Sequence, residues 1–167
     1  LAERMRRISR HGQSRRYFHT DLGVNGRIDT LQAAILLAKL ELFEAEVEAR
    51  QRIGARYSQQ LQAAGVRTTP QLAPGTTSVY AQYTIQVDHR QAVQDALILQ
   101  GIPTAVHYPT LLCQQPAISG CREGCGSTCG ASVAKRASER VLSLPMHPYL
   151  SEADQDRVVA AVAAATA

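Results

Sequence analysis

The apolar positions of this chain change their period several times, and each change marks an element. From Asp29 to Ala64 the sequence is dominated by Ala, Leu, Glu and Gln, which lose little rotamer freedom in a helix. Asp29 and Gln32 have the spacing of a capping box, with Asp in the place of Ser or Thr. Gly65 supplies a C-terminal stop. The pattern predicts one helix about 54 Å long at 1.5 Å per residue, with Gly54 as the candidate for a bend. Its first half carries two apolar stripes: Leu31, Ile35, Ala38 and Leu42 form one, Leu36, Leu40, Phe43 and Val47 the other. Glu41, Glu44 and Glu48 fall on a separate polar face. A helix at the surface of one domain shows a single stripe. Two stripes fit a helix packed on both sides, against its own domain and against a second domain or subunit; burial in a single core fits the periodicity equally well.

Elsewhere the segments are shorter. Leu1 to Gly12 reads as the end of a helix closed by glycine, and Gln13 to Arg27 as a polar connector with a turn-like cluster at Gly23, Asn25 and Gly26. After a Pro/Gly/Thr-rich loop, Val79, Ala81, Tyr83, Ile85 and Val87 alternate with Tyr80, Gln82, Thr84 and Gln86, the period of a half-buried strand. Asp88, with Gln91 three residues on, is the expected cap of a helix ending at Leu99 or Gln100. Thr104 to Tyr108 is a second strand candidate. Residues 113–130 form a loop, Ser132 to Arg140 a short helix and Val141 to Pro148 an extended, Pro-bounded stretch. Ser151 with Asp154 caps a last Ala/Val-rich helix. Strands and helices joined by short links predict a small α/β layer, of the α+β kind, behind the long helix.

Composition sharpens this picture in three places. Residues 1–27 hold seven arginines against Glu3 and Asp21, a net +5, although the whole 167-residue chain is only +4. A basic leading segment points to an anionic partner. Nucleic acid is the weaker choice, because aromatics are few and no recognition motif accompanies the arginines. No apolar run approaches the roughly 20 residues of a membrane span, and no signal-peptide core follows Arg4, Arg6, Arg7 and Arg10. A cytoplasmic location is therefore expected. The four cysteines, Cys113, Cys121, Cys125 and Cys129, are spaced by seven, three and three residues. That spacing is not the paired arrangement of structural zinc sites, so no metal is expected, and the stretch reads as a mobile insertion with free thiols. Finally, only two of the 18 basic residues are lysines, Lys39 and Lys135.

The most specific signal is the run Gly23-Val-Asn25-Gly-Arg27-Ile-Asp29-Thr-Leu-Gln-Ala-Ala-Ile-Leu36. It sets an Asn amide and an Arg fork on a turn just ahead of the long helix. Arg grips carboxylate or phosphate with two parallel hydrogen bonds, and Asn adds a neutral donor. On composition alone, a plain turn residue and a solvated charge explain the pair as well.

This run resembles the DegT/DnrJ/EryC1/StrS family of sugar-nucleotide aminotransferases. Tyr80-Ala-Gln-Tyr83, Val106-His107-Tyr108-Pro109, Gln115-Pro116 and Leu142-Ser-Leu-Pro-Met-His-Pro148 match further family patterns, in order and across almost the whole chain. The resemblance implies the C-terminal portion of a fold-type I, pyridoxal-phosphate enzyme working as a homodimer, and looks closest to the branch making amino sugars, including uronic acids, for surface polysaccharides. Residues 1–27 would be the end of the large domain and a connector; residues 28–167 would be the long helix and the small C-terminal domain. A residue like Asn25 would reach the neighbouring subunit's cofactor phosphate. Arg27, His107 and Tyr108 would line the sugar-nucleotide site, with Arg27 a carboxylate clamp for a uronic acid. Glutamate would be the amino donor, and the long helix would build the dimer.

The lysine count then gains weight. The family's chemistry requires a Schiff-base lysine, and neither candidate matches it: Lys39 corresponds to the helix lysine of the pattern, and Lys135 follows the Cys-rich stretch. No catalytic residue is therefore expected in this chain, which would be inactive alone. A truncated binding or dimerisation module without catalysis is the alternative. The Cys113 to Ala131 segment also departs from the family pattern, which has a polar residue near position 113.

Overall fold

In a computed structural model, residues 1–118 and 132–166 are described, and they pack as two compact units, Leu1–Glu44 and Ala45–Ala167. In the first unit, helix α1 (Ala2–Ile8) leads into a short antiparallel hairpin of β1 (Gln13–Arg15) and β2 (Phe18–His19). The helix ends four residues ahead of Gly12. Gly12 instead takes φ +75°, donates its N–H to the Arg7 carbonyl at 2.8 Å, and accepts from Thr20 at 2.9 Å. A Cβ at this position would lie 1.6 Å from the Asp21 carbonyl oxygen, so only glycine fits the turn. The Arg7 guanidinium pairs with Asp21 at 3.1 Å. The chain then returns along α1: Val24 N–H donates to the Ile8 carbonyl and Gly26 N–H to that of Ser9, both at 2.9 Å.

The long helix α2 (Thr30–Ala63) starts where the sequence placed it. Asp29 Oδ1 accepts from the Leu31 N–H at 2.8 Å, satisfying one of the helix's unpaired donors. Beyond its end Gly65 takes φ +89°, with no atom within 4 Å of where a Cβ would stand. The apolar side chains of its first half are exposed; Leu36 is 53% and Leu40 63% accessible. Within these residues no core covers this stretch, although Val47 at its end is half-buried.

The second unit has the mixed helix-and-sheet architecture expected. Strand β3 (Tyr83–Gln86) pairs antiparallel with β4 (Val141–Leu144), in the register Tyr83 to Leu144, Thr84 to Ser143 and Ile85 to Leu142. One face of this ribbon, Tyr83, Ile85, Leu142 and Leu144, is buried against Ile53, Tyr57 and Leu61 of α2, Val93 and Leu97 of α3 (Arg90–Leu99), and Val158 and Val162 of α5 (Glu152–Thr166). Successive strand residues point to opposite faces, so Thr84 and Ser143 sit together on the other side. Helix α4 (Ser132–Arg140) leads directly into β4.

Several local expectations change. The strand is four residues long, not nine, because Tyr80 takes φ +41° and turns its ring inward, to 7% exposure. Gly54 is the reason it can: a Cβ there would stand 2.4 Å from the Tyr80 ring, so Gly54 marks a close approach within an unbroken helix. Asp88 does not cap α3. Its carboxylate pairs with Arg140 at 3.2 Å, and His89 occupies the N-cap with φ +51° and no side-chain cap. Thr104 to Tyr108 is not a full strand; Ala105 alone bridges to Ser143, through hydrogen bonds of 3.1 and 2.8 Å. Leu112–Gln114 and Pro116–Ile118 are single 3-10 turns within the predicted loop. Of the four cysteines only Cys113 falls among the described residues, so the expectations for the others and for a metal lie outside them. No helix among the described residues is long and apolar enough to cross a membrane.

Candidate functional site

Asn25 and Arg27 stand together on the exposed turn that leads into α2. Arg27 Nε donates to Asn25 Oδ1 at 3.3 Å. An isolated bridge between Asn25 and Arg10 pins this turn to the segment after α1. The bond uses the Asn25 acceptor and leaves its amide N–H groups, with the remaining guanidinium N–H groups, facing outward as donors. Two donors of this kind, one charged and one neutral, suit a phosphate or carboxylate. More positive charge lies near in sequence, on the hairpin, where Arg15 stacks on Phe18 at 4.7 Å and Arg16 on Tyr17 at 5.0 Å. The stacking holds both guanidiniums over rings, and Arg16 also donates a hydrogen bond to the Tyr17 hydroxyl at 3.2 Å.

His107 and Tyr108 lie in the second unit, joined by a cis peptide, with their rings edge-to-face at 5.7 Å. Tyr108 is 73% exposed, whereas His107 is half-buried. The support for His107 comes from the sheet: Ala105, two residues earlier, is tied to Ser143, and the Ser143 hydroxyl meets His107 Nδ1 at 3.1 Å. Ser143 Oγ in turn meets Thr84 Oγ1 at 2.8 Å. His107 and Ser143 thereby line a cleft of about 270 Å³, with Ala81, Gln82, Pro103 and Thr104 among its other walls. Neither Thr84 nor Ser143 was a candidate from the sequence. Thr84 fell at a polar position of the alternating segment and Ser143 within the run Leu142–Pro148, and neither position by itself pointed to a role.

Tyr57 of α2 and Tyr83 of β3 serve the core. Tyr57 donates to the Pro145 carbonyl at 3.1 Å, and Tyr83 shares a 2.8 Å hydrogen bond with Ser58. Burial pushes the Tyr83 hydroxyl up to about 12 and the Tyr57 hydroxyl higher still, so both stay neutral and structural at ordinary pH.

The sequence profile of the DegT/DnrJ/EryC1/StrS aminotransferase family matches residues 1–163, and the chain belongs to this family. Among curated relatives, UDP-2-acetamido-2-deoxy-3-oxo-D-glucuronate aminotransferase of Pseudomonas aeruginosa is 48% identical over 97% of this chain and 43% of its own length. Among solved structures, a DegT DnrJ EryC1 StrS aminotransferase from Brucella abortus superposes with a TM-score of 0.87 at 36% identity, covering 99% of this chain and 43% of that one. S. venezuelae DesV, solved in complex with a ketimine intermediate, superposes with a TM-score of 0.83 at 31% identity, covering 98% and 43%. The chain spans less than half the length of the relatives it matches.

Proposed function

We propose that this chain is the C-terminal part of a cytoplasmic, pyridoxal-phosphate-dependent aminotransferase that moves an amino group from glutamate to a keto-sugar nucleotide, a UDP-linked uronic acid, for surface polysaccharide synthesis. The observation that carries the reading is the Asn25–Arg27 pair, with outward donors on the turn ahead of α2. Those donors fit the anionic groups that the cofactor and a uronic acid would present. Asn25 would hold the cofactor phosphate of a neighbouring subunit, and Arg27 would clamp the sugar carboxylate. His107 and Tyr108 would line the sugar-nucleotide site. When bound, pyridoxal phosphate supplies the electron sink that lets an amino group pass between carbon skeletons. The exposed apolar residues of α2 would pair two copies into a homodimer. The amino group that anchors the cofactor would come from outside these 167 residues, because Lys39 and Lys135 lie outside the family's position for it.

A chimera tests this reading. The upstream part of the Pseudomonas aeruginosa relative, fused ahead of this chain, is expected to restore glutamate-dependent amination of the UDP-3-oxo-glucuronate derivative, and the chain alone to give none. Arg27→Ala in the chimera should raise KM by about 10- to 100-fold, the range for losing a charge-assisted pair of about 1.5–3 kcal/mol. Turnover by the 167-residue chain on its own would overturn the proposal that it lacks a catalytic part.

A further inference from the structure

The tip of the β1–β2 hairpin gathers hydrogen-bond donors that its own unit does not use. Arg15 and Phe18 pair across the strands, and Arg16 and Tyr17 form the two-residue turn between them. Residues 1–27 contain two acids, Glu3 and Asp21, and Asp21 is taken by Arg7. Among the described residues neither Arg15 nor Arg16 meets a carboxylate; each lies exposed against a ring. Arg16 spends one N–H on the Tyr17 hydroxyl, whose own hydrogen has no acceptor among the described residues. Tyr17 takes φ +63°, which Gly or Asn adopts with less strain, and is 78% exposed. The hairpin is also anchored to the Asn25–Arg27 turn. His11 N–H donates to the Val24 carbonyl at 3.0 Å, and the His11 carbonyl accepts from His19 Nδ1 at 2.7 Å. Thr20 N–H adds a bond of 2.9 Å to the Gly12 carbonyl, and Arg10 bridges to Asn25. One short stretch, residues 10–12, thus fixes both elements.

In the function proposed above, Asn25 takes the cofactor phosphate and Arg27 the sugar carboxylate, which leaves the diphosphate of the nucleotide without a cationic partner. We infer that the hairpin tip supplies it: Arg15 and Arg16, with the Tyr17 hydroxyl, hold the diphosphate of the sugar nucleotide. The inference rests on that proposed function for the identity of the ligand. A nucleotide diphosphate bonded to a sugar carries two negative charges and a row of acceptor oxygens. Two guanidiniums balance those charges, and their planar forks fit phosphate oxygens with paired hydrogen bonds. The Tyr17 hydroxyl adds a neutral donor beside them. Because residues 10–12 anchor the hairpin and the Asn25–Arg27 turn together, the two sets of donors are presented as one anion-binding surface.

Two measurements test the tip. In the 167-residue chain, NMR of the arginine Nε–H groups during titration with inorganic pyrophosphate should shift Arg15 and Arg16 at lower concentrations than Arg4 and Arg6 of α1. Equal shifts at all four would mark a diffuse charge effect and overturn the inference. In the chimera described above, calorimetric titration with UDP reads the diphosphate and titration with uridine serves as the phosphate-free control. Arg15→Gln combined with Arg16→Gln is expected to weaken UDP binding by about 10- to 100-fold, the range for losing a charge-assisted pair. Uridine binding and the affinity for pyridoxal phosphate should stay as in the wild type. Arg4→Gln with Arg6→Gln removes the same net charge and should have a much smaller effect. Unchanged UDP affinity in the Arg15/Arg16 variant overturns the inference, as does an equal loss in the Arg4/Arg6 variant. Loss of pyridoxal phosphate affinity with UDP unmoved would assign the tip to the cofactor phosphate and overturn it too. A chimera that binds UDP through Arg15 and Arg16 yet aminates nothing would support the tip's role and overturn the reaction proposed above.

Discussion

In residues 45–167 the large side chains at helical and strand spacing are inside: Tyr57, Leu61, Tyr83, Ile85, Leu97 and Leu142 are all fully buried. In residues 1–44, side chains of the same kind at the same spacing are outside. Leu31, Ile35, Leu36, Leu40 and Phe43 are each at least half exposed, and no large apolar side chain of this stretch is buried. One unit closes its own core. The other is held by backbone hydrogen bonds, the Arg7–Asp21 pair and glycine turns, while its apolar residues face out. Periodicity reports which positions of an element share a surface; what covers that surface is a separate question.

That contrast can be broken most forcefully in the core. Leu142→Ala, on the buried face of β4, is expected to cost about 2–5 kcal/mol, measured by urea unfolding followed by circular dichroism. An alkaline titration tests the same core through its tyrosines. The fold favours the neutral hydroxyls of Tyr83 and Tyr57, so their contribution is complete below pH 10, the unfolded value, and is lost as pH rises toward 12. Helical ellipticity should therefore collapse together with a late phase of phenolate absorbance at 295 nm. Absorbance complete near pH 10 with the fold intact would contradict it. Gly54→Ala comes next: a methyl group against the buried Tyr80 ring costs about 1–3 kcal/mol, of which about 1 is returned by helix propensity. A thermal melt should show the net loss. The smallest effect on stability belongs to the outward stripes. Leu36→Gln and Leu40→Gln should each change unfolding free energy by less than about 0.5 kcal/mol, while shifting any self-association in sedimentation toward the monomer. Were they as damaging as Leu142→Ala, the distinction between the two units would be wrong.

Local chemistry made much of this fold readable in advance. Asp29 at the head of α2, the Ser151–Asp154 pair ahead of α5 and the Ser132–Arg140 helix all appear at their expected places. Each depends on neighbours within three or four residues. The misread positions depended on distant ones. Asp88 had a cap's spacing, yet Arg140 offers it a charge; Tyr80 sat in an outward register, yet Gly54 opens a space for its ring. The site divides in the same way. Asn25 and Arg27 lie two residues apart, and their pairing on a turn could be anticipated. The hydroxyls behind His107 come from positions 23 residues before it and 36 after it, and only the β3–β4 register brings them together.

Two glycines, one in the turn after α1 and one just past the end of α2, show how differently one residue type can be required. At Gly12 the demand is for space as well as for φ, since the Asp21 carbonyl stands where an L side chain would begin. At Gly65 the surroundings are empty and only the sign of φ is demanding. There the requirement is one of chirality: a D-alanine introduced by chemical ligation would satisfy the backbone that L-alanine strains.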